Sequence, residues 1–245
     1  MHPDLRFLED LREAYKYNAD HNIYYMACRD AILKFGIKDL LVVGCGKGIV
    51  EAILPETVRC YSVDVNDADL HIADEINRRK PNRAFAKLNL FELVTHLRGR
   101  RFQAALLSEV IEHLADDIEA LRVVSSCLIE RGTLVLTVPN VDRLVNATRK
   151  ALGMRPHFMA ESHLREYTKT EILGKLCGVG LTPLRFQEVG LTLPKDRWVG
   201  KILSPYHPWR RNVLKNIPHL ATYFLIVSRL SKFQHTHSHR AWSLE

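Results

Sequence analysis

The run Leu41-Val42-Val43-Gly44-Cys45-Gly46-Lys47-Gly48-Ile49-Val50-Glu51 places three glycines directly after a short apolar segment and directly before a stretch of helical character. A buried strand that turns at once into a helix needs backbone freedom at the turn. Glycine supplies that freedom, and the helix start beyond it offers free N–H groups to a ligand. A tight strand-to-helix loop without a ligand would meet the same pattern. The second element is the next β-rich run, Arg59-Cys60-Tyr61-Ser62-Val63-Asp64, which ends in a carboxylate sixteen residues after Gly48. In an open α/β sheet the carboxyl ends of neighbouring strands line one crevice. Asp64 is therefore expected to accept hydrogen bonds from both ribose hydroxyls of a nucleoside lying over the glycine turn.

Outward from this pair, short β-rich runs alternate with helical stretches. DLLVVG, RCYSVD, AFAKL, FQAALLS and TLVLTVP are separated by segments such as ADLHIADEINRR and DDIEALRVVSSCLI. That alternation predicts βαβ units and a parallel sheet covered on both faces. Residues 1–35 read as a helical cap of two helices. Leu5, Leu8 and Leu11 share one face of the first, and Ile23, Met26, Ala27, Ile32 and Leu33 supply the apolar face of the second. After residue 168 the spacing predicts a helix at TKTEILGKLCG, opened by a Thr168 cap with Glu171 three residues on. Strands at LTPLRFQEV and TYFLIVSR follow. Insertions are expected near 141–161 and 191–219, and the polar, His-rich stretch 231–245 reads as a disordered tail.

The totals narrow the class. A chain of 245 residues with 47% hydrophobic content is long enough for one domain with a substantial core. No apolar run approaches the ~20 residues that cross a bilayer, and no secretory signal is visible at the start, so the reading is cytoplasmic. The five cysteines Cys28, Cys45, Cys60, Cys127 and Cys177 form no CxxC pair, which argues for reduced thiols over a disulfide framework or a zinc knuckle. The net charge of +7 raises nucleic acid or an anionic membrane surface as partners. Basic residues are spread among acids along most of the chain, however, so an ordinary enzyme surface is the expectation and nucleic acid is not. Positive charge gathers in 195–215, with Lys195, Arg197, Lys201, Arg210, Arg211 and Lys215 among Trp198, Tyr206 and Trp209. That segment suits a lid, an anionic or lipid-linked acceptor, or peripheral contact with a membrane surface.

The glycine spacing separates the nucleosides. A dinucleotide fingerprint is GxGxxG, whereas here the third glycine comes one position early and Ile49 takes its usual place. LLVVGCGKG resembles the first motif of class I S-adenosylmethionine-dependent methyltransferases, and YSVDVND resembles their second. The resemblance covers about residues 38–190. It implies a doubly wound, Rossmann-like α/β fold over 36–230, with a seven-stranded, mostly parallel sheet whose last strand is antiparallel. The implied cofactor is S-adenosylmethionine, held by Gly44, Cys45, Gly46, Gly48, Asp64 and Val65. Asn89 and Leu90 match the adenine-side position, although Asn89 is equally read as a turn former. Ser108 and Glu109 match the cofactor side of the fourth motif. One departure stands out: the family usually carries an acid two residues before its first glycine, and this chain has Val42 there.

The stretch FQAALLSEVIEHLADD carries the candidate chemistry. On a helix, Glu109, Glu112 and His113 would share one face. Methyl transfer needs chiefly positioning, and a base only where the acceptor has a proton to lose. His113 with Glu112 is the candidate catalytic pair for a hydroxyl, against the alternative that the two simply anchor the helix. Glu109, Glu112, His113 and a distant His163 also resemble the metal-holding set of small-RNA 3′-end 2′-O-methyltransferases. EVIEHL is equally widespread among bacterial small-molecule methyltransferases, and HLREYTKTEI fits that broad group better. The expectation is thus an O-methyltransferase with a small-molecule or glycan- or lipid-linked acceptor. The alternatives are a metal-dependent RNA 2′-O-methyltransferase, a non-catalytic S-adenosylmethionine-binding protein and an NAD-dependent enzyme. Tyr15, Tyr17, Tyr24 and Tyr25 are candidate contacts for substrate or cofactor, or core packing.

Overall fold

The computed structural model describes residues 7, 10, 11, 13, 19–190 and 221–231. The expectations for Tyr15, Tyr17, the 191–219 insertion with its Trp and Arg residues, and the tail lie outside these residues. Helix α1 (Ala19–Lys34) precedes strand β1 (Asp39–Val43), which runs through the glycine bend into the short helix α2 (Ile49–Ile53). Then follow β2 (Arg59–Asp64), α3 (Asp67–Asn77), β3 (Arg83–Lys87), α4 (Leu93–Leu97) and β4 (Phe102–Ser108). The second half comprises α5 (Asp117–Ser126), β5 (Leu128–Pro139), α6 (Leu144–Ala151), α7 (Lys169–Gly178), β6 (Leu181–Val189) and β7 (Tyr223–Leu230). Single 3-10 turns span Leu90–Glu92 and Ile111–His113.

The strands form one seven-stranded sheet in the order β3-β2-β1-β4-β5-β7-β6. All neighbours from β3 to β5 pair in parallel, while β7 is antiparallel to both β5 and β6. This is the expected doubly wound α/β sheet. Strand periodicity divides the core between its faces. Leu41, Val43, Ala105 and Leu107 pack with Leu93, Leu121, Val124, Ile172 and Leu176 on one side. Leu40, Val42, Ala104 and Leu106 pack with Cys28, Ile32, Val50 and Leu54 on the other. Each buried leucine contributes roughly 2 kcal/mol of transfer free energy. Because both faces are covered, the central strands are near-continuous apolar runs.

Two expectations are refined. The expected apolar face of α1 does pack against the core, with Ile32 fully buried, but that face is wider than read. Tyr24, Cys28, Ala31 and Ile32 are its buried positions, while Ile23, Met26, Ala27 and Leu33 are half-buried, because the helix lies flat on the sheet with Tyr24 against Tyr223. Glu109, Glu112 and His113 do not share an α-helix. Glu109 sits at φ 57°, outside regular structure, and Glu112 and His113 belong to the 3-10 turn. Glu109 N–H still donates to the Thr137 carbonyl at 3.2 Å, so the β4–β5 ladder runs one residue too far for a helix to begin there. The Thr168 cap is as expected, accepting from Glu171 N–H at 3.2 Å. Among the described residues no helix is long and apolar enough to cross a membrane.

Candidate active site

The parallel strands all end at one edge of the sheet, and the glycine bend leaves β1 there. Gly44, Gly46 and Gly48 all adopt positive φ (70°, 49° and 66°), but they do so for different reasons. A Cβ on Gly44 would lie 2.4 Å from Val110 Cγ2, and one on Gly48 would lie 2.9 Å from Ala73 Cβ. Both glycines are therefore required by packing. Nothing stands within 4 Å of where a Gly46 Cβ would be. The middle glycine faces open space, as close approach of a ligand to backbone requires.

Asp64 closes the bend from β2. Its Oδ2 accepts from Gly46 N–H at 2.8 Å and its Oδ1 from Asn66 N–H at 2.9 Å. The carboxylate thus stands beside the open glycine with its orientation fixed, and each oxygen keeps lone-pair capacity for a ligand hydroxyl. Beside it lies a cleft of about 300 Å³, at the lower limit of the range typical of small-molecule sites. Gly44, Cys45, Gly46, Ser108 and Glu109 line it together with Tyr24, Tyr25, Glu51 and Asp69. Of the expected cofactor residues, Gly48 packs against α3, Val65 is exposed and Leu90 is buried in the core on the α4 face. Asn89 uses its side chain as a turn former, accepting from Phe91 N–H at 3.0 Å.

Burial, with the charges of Glu51 and Asp64, drives the Cys45 thiol far above the ordinary range, and the buried Cys28 and Cys60 thiols are pushed up to about 12. All five cysteines are free thiols.

The second part of the site follows β4. Ser108 Oγ lies 3.0 Å from Thr137 Oγ1, which ties the ends of β4 and β5. Burial raises the Glu109 carboxyl well above the usual carboxylate range, and the neighbouring charge of Glu112 adds to that. Burial likewise raises Glu112. Glu109 Oε1 and both oxygens of Glu112 are buried without a hydrogen-bond partner. Hence Glu112 and His113 do not form the anchoring pair that was the alternative expectation. His113 Nδ1 instead lies 3.1 Å from the Ser162 carbonyl, and its ring meets His163 edge-on at 4.8 Å between centroids. Ligand atoms of Glu112, His113 and His163 all lie within 4.8 Å of one another, which would suit a divalent cation. Glu109 is not in that set. Burial pushes the His113 imidazole below its ordinary value, outweighing the Ser162 bond that favours the charged form.

This half is held by residues that sequence reasoning passed over. His163 Nδ1 lies 3.3 Å from Glu166 Oε1, and Glu166 pairs with Arg143 in a buried ion pair. Tyr167 OH donates to Asp117 Oδ2 at 2.8 Å and lies 3.3 Å from the Ile111 carbonyl, while Lys175 and Arg165 also reach Asp117. Burial alone would raise the Asp117 carboxyl, but the bonds from Tyr167, Lys175 and Arg165 outweigh it and hold it below its ordinary value. The partners of Asp117 lie about 50 or more residues away from it, so no local pattern announces them. Glu51 was legible in principle, as a lone acid inside the apolar stretch IVEAIL.

A seven-stranded doubly wound sheet, a glycine bend with one open glycine and an acid ending the next strand together define the architecture of class I S-adenosylmethionine-dependent methyltransferases. Residues 12–185, well over half of the chain, match the family model described as a methyltransferase domain, and the chain belongs to that family. Solved structures share the fold at low identity. A S-adenosylmethionine-dependent methyltransferase from Archaeoglobus fulgidus is 16% identical at a TM-score of 0.61, with 91% of this chain and 99% of that one covered. Magnesium protoporphyrin IX methyltransferase from Synechocystis, with bound S-adenosylhomocysteine, is 13% identical at a TM-score of 0.61, covering 86% and 84%. The N-methyltransferase NodS from Bradyrhizobium japonicum, also in complex with S-adenosylhomocysteine, is 16% identical at 0.57, covering 84% and 85%. No curated protein matches the chain.

Proposed function

We propose that this chain transfers a methyl group from S-adenosylmethionine to a hydroxyl of a small-molecule acceptor, free or carried on a glycan or lipid. The observation that carries the reading is the contrast within the bend: Gly44 and Gly48 are filled by packing while Gly46 stands open next to the fixed Asp64 carboxylate. The cofactor fits these residues: Asp64 suits a ribose, Gly46 suits close approach, and the buried carboxyls of Glu51 and Glu109 on the cleft wall suit a ligand bearing positive charge. When bound, S-adenosylmethionine supplies an electrophilic methyl group on a sulfonium.

The chain's own contribution is positioning and proton removal. A carbonyl can only accept, so the Ser162 contact requires His113 Nδ1 to carry the hydrogen. In the neutral ring Nε2 is then the basic atom. Partial desolvation favours that neutral form near pH 7, while the residue stays exposed enough for the proton to pass on to water. A second reading, metal-assisted methylation of an RNA ribose hydroxyl, has one observation in its favour, the convergence of Glu112, His113 and His163.

Calorimetric titration tests the cofactor assignment. S-adenosylhomocysteine is expected to bind in the micromolar range, about −8 kcal/mol, with NAD binding little. Asp64→Ala should weaken the first by about 30-fold or more. Equal binding to the variant, or preference for NAD, would sink the reading. Labelled methyl transfer into cell extract then identifies the acceptor. Loss of transfer on chelation and in Glu112→Ala would select the metal-assisted reading, and survival of both would discard it.

A further inference from the structure

Glu51 is the central residue of α2, in a helix whose every residue is buried, and it is itself 1% exposed. One of its carboxyl oxygens is engaged: Ser62 Oγ donates to Oε1 at 2.6 Å. The other, Oε2, is buried and has no hydrogen-bond partner. Leaving such a group unmatched costs about 1–3 kcal/mol, a cost that a donor entering the cleft would relieve. Arg83 is close, but its guanidinium and Nε donate to the main-chain carbonyls of Glu51, Leu54, Pro55 and Val58. Its charge eases the burial of Glu51 without supplying the missing bond.

The side chain also lies where an acid is otherwise lacking. Glu51 and Val42 both line the cleft, and Ser62, which orients Glu51, stands opposite Val42 in the parallel β1–β2 register. This side of β1 thus offers only an apolar side chain, and the carboxylate comes from the helix after the bend. Asp64, on the other side of Gly46, is the group matched to a sugar. A ligand spanning both needs hydroxyls at one end and a cationic donor at the other.

Resting on the S-adenosylmethionine reading above, we propose that Glu51 is the group of this chain that receives the α-ammonium of the cofactor's amino-acid moiety, with Ser62 as its positioning residue. The test compares two ligands that differ in that moiety. Wild-type protein, Glu51→Gln and Ser62→Ala are titrated with S-adenosylhomocysteine and with 5′-methylthioadenosine, which has the nucleoside but no ammonium. Glu51→Gln is expected to weaken S-adenosylhomocysteine by about tenfold or more and to leave methylthioadenosine within about twofold. Ser62→Ala, which keeps the carboxyl but frees it to turn, should show the same selectivity at about threefold and serves if Glu51→Gln does not fold. Unchanged S-adenosylhomocysteine binding in both variants would overturn the inference. Equal loss of both ligands would do so as well, by assigning Glu51 to the integrity of the bend. Wild-type protein that binds neither ligand would instead bring down the cofactor reading itself, and this inference with it.

Discussion

Two neighbouring strands, β1 and β4, leave the sheet at the same edge and do so in opposite styles. After β1 every positive φ falls on a glycine, and the bend is tied by Asp64 through Gly46 and Asn66, all within about twenty residues. After β4 the positive φ falls on Glu109, whose carboxyl is buried with one oxygen unmatched, beside a Glu112 with none of its oxygens matched. That turn too is anchored by an acid, Asp117, but through Tyr167, Lys175 and Arg165 from far along the chain. The first bend is relaxed and hydrogen-bonded within its own stretch of chain. The second stores strain and unsatisfied polarity, which is where sites that must act on a substrate commonly differ from those that only hold one.

The sharpest way to break this contrast is Gly44→Ala. The added methyl meets the stiff side chain of Val110 and forces a left-handed alanine, so a loss of about 3 kcal/mol is expected in chemical denaturation. A loss under about 1 kcal/mol would show that the two bends are not packed against each other. Asp117→Asn comes next, at about 2 kcal/mol, because it leaves Lys175 and Arg165 without their carboxylate. The pH dependence has a definite sign. The folded-state value of Asp117 is depressed, so its contribution is complete above the ordinary ~3.9 and disappears as pH falls through the lower folded value. Stability curves of wild type and variant should therefore converge on acidification below about pH 4, and parallel curves would refute the assignment. The smallest effect has the opposite direction. Glu109→Gly removes the backbone strain and a poorly matched buried carboxyl, so stability should rise by about 1 kcal/mol, or roughly 2–4 °C, while methyl transfer falls. A drop in melting temperature would mean that the Glu109 carboxyl is stabilising where it sits.

Legibility followed the same division. The glycine bend, Asp64 and the strand alternation are local in sequence, and the structure places them together as read. The cluster beyond β4 was legible as a set of residue types, but its geometry was not: ExxEH suggests a helix face, whereas the prolonged β4–β5 ladder holds Glu109 out of it. The partner of His113, the Ser162 carbonyl, follows from tertiary packing rather than from any spacing, whereas Glu166 stands only three residues after His163. Asn89 shows how a polar residue at a strand end is ambiguous when read alone, since capping and ligand contact call for the same side chain.

The placement of β7 carries one more implication. Because β7 slots antiparallel between β5 and β6, Val189 and Tyr223 stand opposite each other, level with Pro139 at the end of β5. Thr222 N–H closes onto the Gly190 carbonyl at 3.0 Å, so the chain departs and returns through one hydrogen-bonded gate at the rim shared with Gly44 and Ser108. A connection pinned at such a gate can change length with little thermodynamic consequence, since doubling a loop costs only about 0.6 kcal/mol in closure entropy. The register of β5, β6 and β7 is thereby insulated from changes of length at this rim.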